Sequence, residues 1–251
     1  MPTHPELLDY LTTYFVEHGW SLKALHRLLL NSATWQQGAL TEPAALAADP
    51  ANHLYGRHSR RRLEAEAIRD AMCAVADSLA LARPGAHPFP KFEDWNWTQH
   101  NPFKAVYSSD HRSVYLMTQR IQRHPFLSLF DAPDANTSTD TRADSTVPQQ
   151  ALYLMNHPFV QTQASRLARQ LLAHPGSMEE RIQLASQLAW SRSLSTPELA
   201  RARTFLNQYG ESSAALPAGP EQSHTPPDPA LAAWTGYARV LLTANEFFYV
   251  D

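Results

Sequence analysis

Apolar positions recur at helical spacing in the first and last thirds of the chain. Between residues 7 and 29 they lie three and four apart, and Gly19 divides them, which predicts a tight pair of helices. A third helix is predicted over residues 61–82, and helical periodicity resumes at Pro148. The pattern therefore predicts a mainly α protein, built as one multi-helical domain.

Three polar motifs mark where helices should begin. Thr3-x-x-Glu6 and Ser177-x-x-Glu180 have the spacing of a capping box, in which each side chain binds the backbone N–H of the other residue. Asn156-His157-Pro158 indicates that one helix ends and another starts, because Pro favours the first helical turn. These motifs predict helix starts near residues 4, 157 and 177.

The middle of the chain differs from both ends in amino-acid composition. Residues 84–149 are rich in Pro and aromatic residues and predict an irregular centre with one short strand pair, for which residues 113–117 are the candidate. The domain is accordingly divided into N-terminal helices (1–83), this centre, and C-terminal helices (150–251). Residues 211–229 are predicted to form a mobile loop within the last part.

Composition narrows the functional classes. A net charge of -3 does not favour nucleic-acid binding. The one cysteine, Cys73, lies in an apolar helical stretch, where buried packing is expected. No apolar run is long enough for a transmembrane helix, and no signal-peptide pattern is present, so any export signal is expected upstream of Met1.

Several segments together resemble a known domain. They are residues 4–9, 19–23, 25–28, 31–35, 52–55, 61–70, 98–107, 112–117, 130–136, 145–152 and 244–251. Their residues and spacing resemble the C-terminal domain of unknown function found in large secreted proteins of planctomycetes and related bacteria. The resemblance covers nearly the whole chain.

The resemblance implies a context more than an activity. In such proteins the domain usually follows a signal peptide, a cytochrome-c-like haem domain and another domain of unknown function. It implies a periplasmic or extracellular location, haem only in an upstream domain and none in this chain, upstream domains of the same polypeptide as partners, and a link to polysaccharide utilisation. The family pattern begins upstream with a helix rich in Arg, Asn and Trp, so the chain is expected to be N-terminally truncated. The family supplies no catalytic residues.

Two carboxylates on the third predicted helix are candidates for chemistry. Glu66 and Asp70 are four residues apart, and a glycosidase needs two carboxylates about 5 to 10 Å apart in one cleft. Arg62 and Arg69 share that predicted helix face and would lower the carboxyl pKa values. An ion-paired structural network is therefore the alternative.

The irregular centre holds the other polar candidates. His100 and Arg112 could converge with the carboxylates as catalytic groups. Side chains that could bind a sugar by stacking and hydrogen bonding are Trp95, Trp97, Asn101 and Lys104. The alternative is that the two Trp residues attach a long loop to the helical core.

No metal site is predicted, although Asp131, Asp134 and Asn136 are possible ligands for a hard cation. Turn formation explains these residues without a metal, because Asp and Asn bond their own backbone. The histidines, among them His124 and His157, form no metal-binding motif.

The leading interpretation is an accessory or interaction module of an exported, haem-containing multidomain protein. The alternative is a carbohydrate-active enzyme domain with its site in the 95–150 region. A third interpretation is protein docking through an apolar groove along the first two helices.

Overall fold

The computed structural model describes residues 2–85, 106–120, 122–215 and 228–250. In these ranges the helices are α1 (Pro5–Glu17), α2 (Leu22–Leu30), α3 (Pro43–Ala48), α4 (Ala65–Val75), α5 (Pro125–Leu129), α6 (Pro148–Asn156), α7 (Pro158–Ala173), α8 (Met178–Trp190), α9 (Thr196–Ala215), α10 (Pro229–Thr243) and α11 (Asn245–Phe248). Two short strands, β1 (Arg61–Arg62) and β2 (Tyr249–Val250), pair with each other. The predicted mainly α class is confirmed.

The chain divides into two compact units. The N-terminal unit comprises residues 1–61 with 249–251, and the C-terminal unit comprises residues 62–248. The division predicted from the sequence, one domain over residues 1–251 with three parts, stays a prediction.

The N-terminal unit contains the predicted helix pair. Gly19 and Trp20 have φ angles of 67° and 60°, a left-handed turn that ends α1. The Ser21 hydroxyl then caps α2 by accepting a hydrogen bond from the backbone N–H of Ala24 at 3.2 Å. At the start of α1 the predicted Thr3 cap is wrong: His4 occupies the cap position, and the Thr3 hydroxyl donates to Tyr55 instead.

A hydrogen-bonded loop follows α3. The Asp49 carboxylate accepts from the backbone N–H groups of His53 and Leu54 at 2.9 and 2.8 Å, and the bond from Leu54 is the largest cause that lowers the Asp49 pKa. Arg57 donates to the carbonyls of Asp49 and Pro50. The loop is held by polar contacts, without a buried apolar side chain in residues 2–61.

The C-terminal unit has an apolar core. One face of α7 is fully buried against α10, and α8, α9 and α11 pack around this pair. A Cβ added to Gly236 of α10 would lie 3.3 Å from the Tyr209 ring of α9, so the two helices approach closely there. The buried hydrophobic residues of α7 are Val160, Ala164, Leu167, Ala168 and Leu171.

The third predicted helix is shorter than residues 61–82. It begins at Ala65, because Arg61 and Arg62 form β1 and the N–H of Leu63 donates to the Phe248 carbonyl. It ends at Val75, where Asp77 adopts a left-handed φ of 51°. Cys73 is fully buried in this helix, as predicted.

Residues 113–117 do not form the predicted strand. Ser113–Tyr115 is a short 3-10 helix, and the strand pair lies at β1 and β2 instead. Of the predicted mobile loop 211–229, residues 211–215 belong to α9 and Pro229 begins α10, while residues 216–227 lie outside the described residues. No helix of the described residues is long and apolar enough to span a membrane, as predicted.

Candidate functional site

The C-terminal unit contains a cleft of ≈ 480 Å³, named here the Arg69 cleft. Its walls come from α4, from residues 106–116, from the start of α5, and from the α6–α7 junction with the first half of α7. Four separate chain segments therefore build one concave surface, which is the usual setting of a small-molecule site.

Arg69 is buried at the centre of these segments. Its guanidinium donates to the carbonyl of His111 at 3.0 Å, to the hydroxyl of Ser113 at 3.2 Å, and to the carbonyl of Ser109. Its charge is balanced by Asp70, whose Oδ1 lies 3.5 Å away, and it also lies over the Phe159 ring at 5.6 Å. Arg69 thus holds the 109–113 segment in place and is committed to the protein.

Helix α7 contributes one face to the cleft. Phe159, Thr162, Gln163 and Arg166 lie three to four residues apart and so project on the same side. Gln163 is already engaged, because its side-chain carbonyl accepts from the Ser78 hydroxyl at 2.7 Å. Arg166 is about two-fifths exposed, and its nearest carboxylate, that of Asp110, lies 3.8 Å away, too far for a hydrogen bond.

Two histidines line the cleft as helix caps. His157 Nδ1 accepts from the backbone N–H of Phe159 at 3.1 Å at the start of α7, and His124 Nδ1 accepts from Leu127 at 3.5 Å at the start of α5. Burial lowers the pKa of both imidazoles, and the charge of Arg69 lowers the His124 pKa further. Both rings are therefore neutral at pH 7, and the capping bond on Nδ1 places the ring proton on Nε2.

Tyr153 of α6 stacks on His157, with ring centroids 4.0 Å apart and an interplanar angle of 12°. Burial raises the pKa of Tyr153 to about 12, although Arg69 acts in the opposite direction. The phenol is consequently a neutral hydrogen-bond donor at physiological pH. An aromatic wall beside neutral donors can bind a polar ring.

The predicted catalytic carboxylates lie in separate networks. Glu66 accepts from Arg142 at 2.6 Å, while Asp70 accepts from the backbone N–H and hydroxyl of Ser113 at 2.8 and 2.6 Å. The expected Arg62–Glu66 helix pair does not form, because Arg62 lies in β1 and binds Asp144 at 3.0 Å. Glu66 contributes to a second, smaller cavity of ≈ 290 Å³ and not to the Arg69 cleft.

Arg112 is exposed and precedes the 3-10 helix, where its carbonyl accepts from Tyr115. The remaining candidates of the irregular centre lie outside the described residues. They are His100, Trp95, Trp97, Asn101 and Lys104. Their roles stay predictions.

The side chains considered as cation ligands form hydrogen bonds with other residues of the chain. Asp131 accepts from the backbone N–H and hydroxyl of Ser145, whereas Asp134 accepts from Asn136, whose backbone N–H lies 2.9 Å away. The second contact is the turn chemistry expected of these residues, and the Asn136 N–H lowers the Asp134 pKa. Within the part of the chain that the structure describes, no group of three or more His, Cys, Asp or Glu residues could hold a metal ion.

The sequence drew attention to Arg69, His124 and His157, but it did not predict that they line one cleft with Tyr153 and Arg166. One signal was available: His124-Pro125 and His157-Pro158 both place a His directly before a helix-starting Pro. Tyr153 lies four residues before His157, the spacing at which two rings on one helical path meet. The signal gives the local geometry but not the convergence of α4, α5 and α7.

Comparisons with known proteins identify a family for this chain, but they do not indicate an activity. The search of curated proteins and the search of solved structures both find no match. A family model described as a protein of unknown function, DUF1553 (PSD1), matches residues 1–206, a span that includes every wall of the Arg69 cleft. The match covers most of the 251 residues, and the chain belongs to this DUF1553 family.

Proposed function

We propose that the chain is an accessory binding module and that the Arg69 cleft is its site for carbohydrate. The cleft itself is the observation that carries the proposal. Tyr153 and Phe159 supply aromatic surface, and His124, His157 and Thr162 supply polar atoms beside it. Sugars need this combination, because their rings have apolar faces edged by hydroxyl groups.

The proposal extends to the parent protein. It is an exported multidomain protein of planctomycete type, in which haem is held by an upstream cytochrome-c-like domain and not by this chain. The upstream domains of this polypeptide are the partners of the chain. The polypeptide is periplasmic or extracellular and functions in polysaccharide utilisation. The sequence resemblance described above supports this part of the proposal, together with membership of the DUF1553 family.

Binding can be tested on the full chain with a glycan array followed by calorimetry. Tyr153→Ala removes the ring that stacks on His157 and should weaken binding of a captured glycan about tenfold. Tyr10→Ala, which alters an exposed ring of α1, is the matched control and should bind like the wild type. A chain that binds no glycan, or two variants that lose affinity equally, would overturn the proposal.

The second candidate function is a carbohydrate-active enzyme domain acting at the same cleft. The stacked pair of His157 and Tyr153 favours it, since the imidazole Nε2–H and the phenol O–H are neutral donors that could stabilise negative charge developing on a substrate oxygen. His157→Asn preserves a side chain that can cap α7 but removes the imidazole. The enzyme would be established if the chain releases reducing sugar, His157→Asn abolishes the release, and His26→Asn, at an exposed control position, does not. Glycan binding without release supports the accessory module.

The parent's context needs a separate measurement. An antibody against this chain should detect a longer polypeptide outside the cytoplasm of the source cells, and the purified polypeptide should show a haem absorption band. A cytoplasmic polypeptide without haem contradicts this part of the proposal and leaves the glycan test unaffected.

A further inference from the structure

The hydrogen-bonding groups of the Arg69 cleft fall into two classes. The groups that already bond to the protein are the Arg69 guanidinium, the side-chain carbonyl of Gln163 and the Nδ1 atoms of both histidines. In contrast, Arg166 has no hydrogen-bond acceptor among the described residues. The chemistry of a ligand for the cleft must therefore be inferred from the second class, which is the groups without a hydrogen-bond partner in the described residues.

Most groups of that second class are hydrogen-bond donors. Arg166 carries five N–H groups, and the neutral rings of His124 and His157 each carry an N–H on Nε2 that binds no described residue. The Tyr153 hydroxyl, likewise without a partner in the described ranges, is held protonated by burial. Asp110 is the one carboxylate that lines the cleft within the described residues, and its side chain is mostly exposed.

We propose that the ligand of the Arg69 cleft carries a carboxylate, and that Arg166 binds it. The ligand class is then an acidic sugar, such as a uronic acid unit of a polysaccharide, and this part rests on the proposed carbohydrate function. A carboxylate supplies only acceptors, so it complements the uncommitted donors. Its two oxygens match the planar fork of a guanidinium in a bidentate pair.

The position of Arg166 suits this role. It lies on the same face of α7 as Phe159, seven residues away, so one helix offers an aromatic surface and a cation about two turns apart. Its contact with Asp110 is loose at 3.8 Å, with the two side chains 39% and 61% exposed, so solvent screens the pair and a ligand carboxylate can replace it. Arg69, by contrast, is held by three acceptors and would keep them.

The test compares two ligands that differ only in the carboxylate. Oligogalacturonate and its carboxyl-reduced neutral counterpart are titrated into the full chain by calorimetry. We expect the acidic ligand to bind at least about tenfold more tightly. Arg166→Gln should abolish this preference, and Arg166→Lys should restore part of it, because the charge returns without the fork.

Arg169→Gln is the matched control. Arg169 is an exposed arginine of the same helix, one turn further along, and it does not line the cleft. Equal affinity for the two ligands, or equal effects of Arg166→Gln and Arg169→Gln, overturns the carboxylate proposal but leaves carbohydrate binding intact. Absence of binding by either ligand class, and by every glycan of the array, overturns the proposed function together with it.

Discussion

The two units of the chain use similar helices in different ways. In residues 2–61 the one buried residue is a polar side chain, Asn52, while apolar residues such as Leu8 and Leu22 are more than half exposed. In the C-terminal unit one face of α7 is completely buried, Leu167 included. Periodic apolar residues thus predict a helix in both units, but they indicate a core only where a second helix covers that face.

The N-terminal unit depends instead on turns and hydrogen bonds, many of which are local, although the bond from Thr3 to Tyr55 joins distant residues. The turn at Gly19, the Ser21 cap and the loop bonds of Asp49 all join residues close in sequence. Local contacts of this kind contribute about 1 kcal/mol each, whereas burying one large apolar side chain contributes about 1.5–3 kcal/mol. The comparison therefore predicts that substitutions will act very unequally in the two units.

The largest expected effect is loss of core packing. Leu167→Ala leaves a cavity in the fully buried face of α7 and should reduce the free energy of unfolding by about 2–5 kcal/mol. Leu8→Ala, at a side chain 53% exposed in α1, should change it by less than about 0.5 kcal/mol. Urea denaturation followed by circular dichroism measures both, and similar losses would contradict the comparison.

The same contrast explains how much of the fold the sequence predicted. The turn at Gly19, the Ser177 capping box and the restart at His157-Pro158 are local signals, and all three are present. The strand predicted over residues 113–117 failed because Ser113 is bound by Asp70, a residue 43 positions away. A contact at that separation overrides local strand preference and leaves no trace in periodicity.

The candidate site was harder to predict than the fold. Tyr153 and His157 share local spacing, so their stacking could be expected from the sequence. Arg69 and Arg166 join them only through tertiary packing. Glu66 and Asp70 were singled out for their spacing on one helix, yet each binds a partner from a distant segment, Arg142 and Ser113 respectively.

A buried polar contact should have the second largest effect. Arg69→Leu removes the donor of three hydrogen bonds and leaves the Ser109 and His111 carbonyls without it, at a cost of about 2–3 kcal/mol. Arg69→Lys retains the charge but not the fork, so it should recover only part of the loss. Hydrogen exchange at the Ser113 amide reports the loosened segment directly. Unchanged protection there would show that Arg69 does not hold residues 109–113.

Loss of a helix cap should lower the free energy of unfolding by an intermediate amount, which is the same in the two units. Ser177→Ala breaks the capping box of α8, and Ser21→Ala removes the cap of α2; each should cost about 1 kcal/mol. Because α2 lacks a buried face, the same loss should lower its amide protection more than that of α8. Amide exchange measured across both helices tests this, and equal protection losses would show that α2 is supported by more than its local contacts.

The smallest expected effect comes from a partly exposed ion cluster. Arg192 binds both Glu198 and Glu246, and its hydrogen bonds, with those of Ser195, lower the Glu198 pKa from 4.5 to about 2. A carboxyl whose folded pKa is depressed stabilises the fold above its unfolded pKa, so this contribution is complete above pH about 5 and is lost as the pH falls toward about 2. Solvent screening limits it to about 0.5 kcal/mol, because the Glu198 and Arg192 side chains are 28% and 40% exposed.

Glu198→Gln isolates this contribution from the titration of other groups. The variant should be less stable than the wild type at pH about 6, and the difference should shrink as the pH falls and vanish only below the folded pKa of about 2, where the wild-type carboxyl is protonated as well. Glu179→Gln, in the more exposed pair with Arg203, is the control and should show a smaller difference. A Glu198→Gln difference as large as that of Leu167→Ala would mean that burial does not set the energy of a contact in the C-terminal unit. A small, pH-dependent difference assigns that energy to burial, the property that α7 has and α1 lacks.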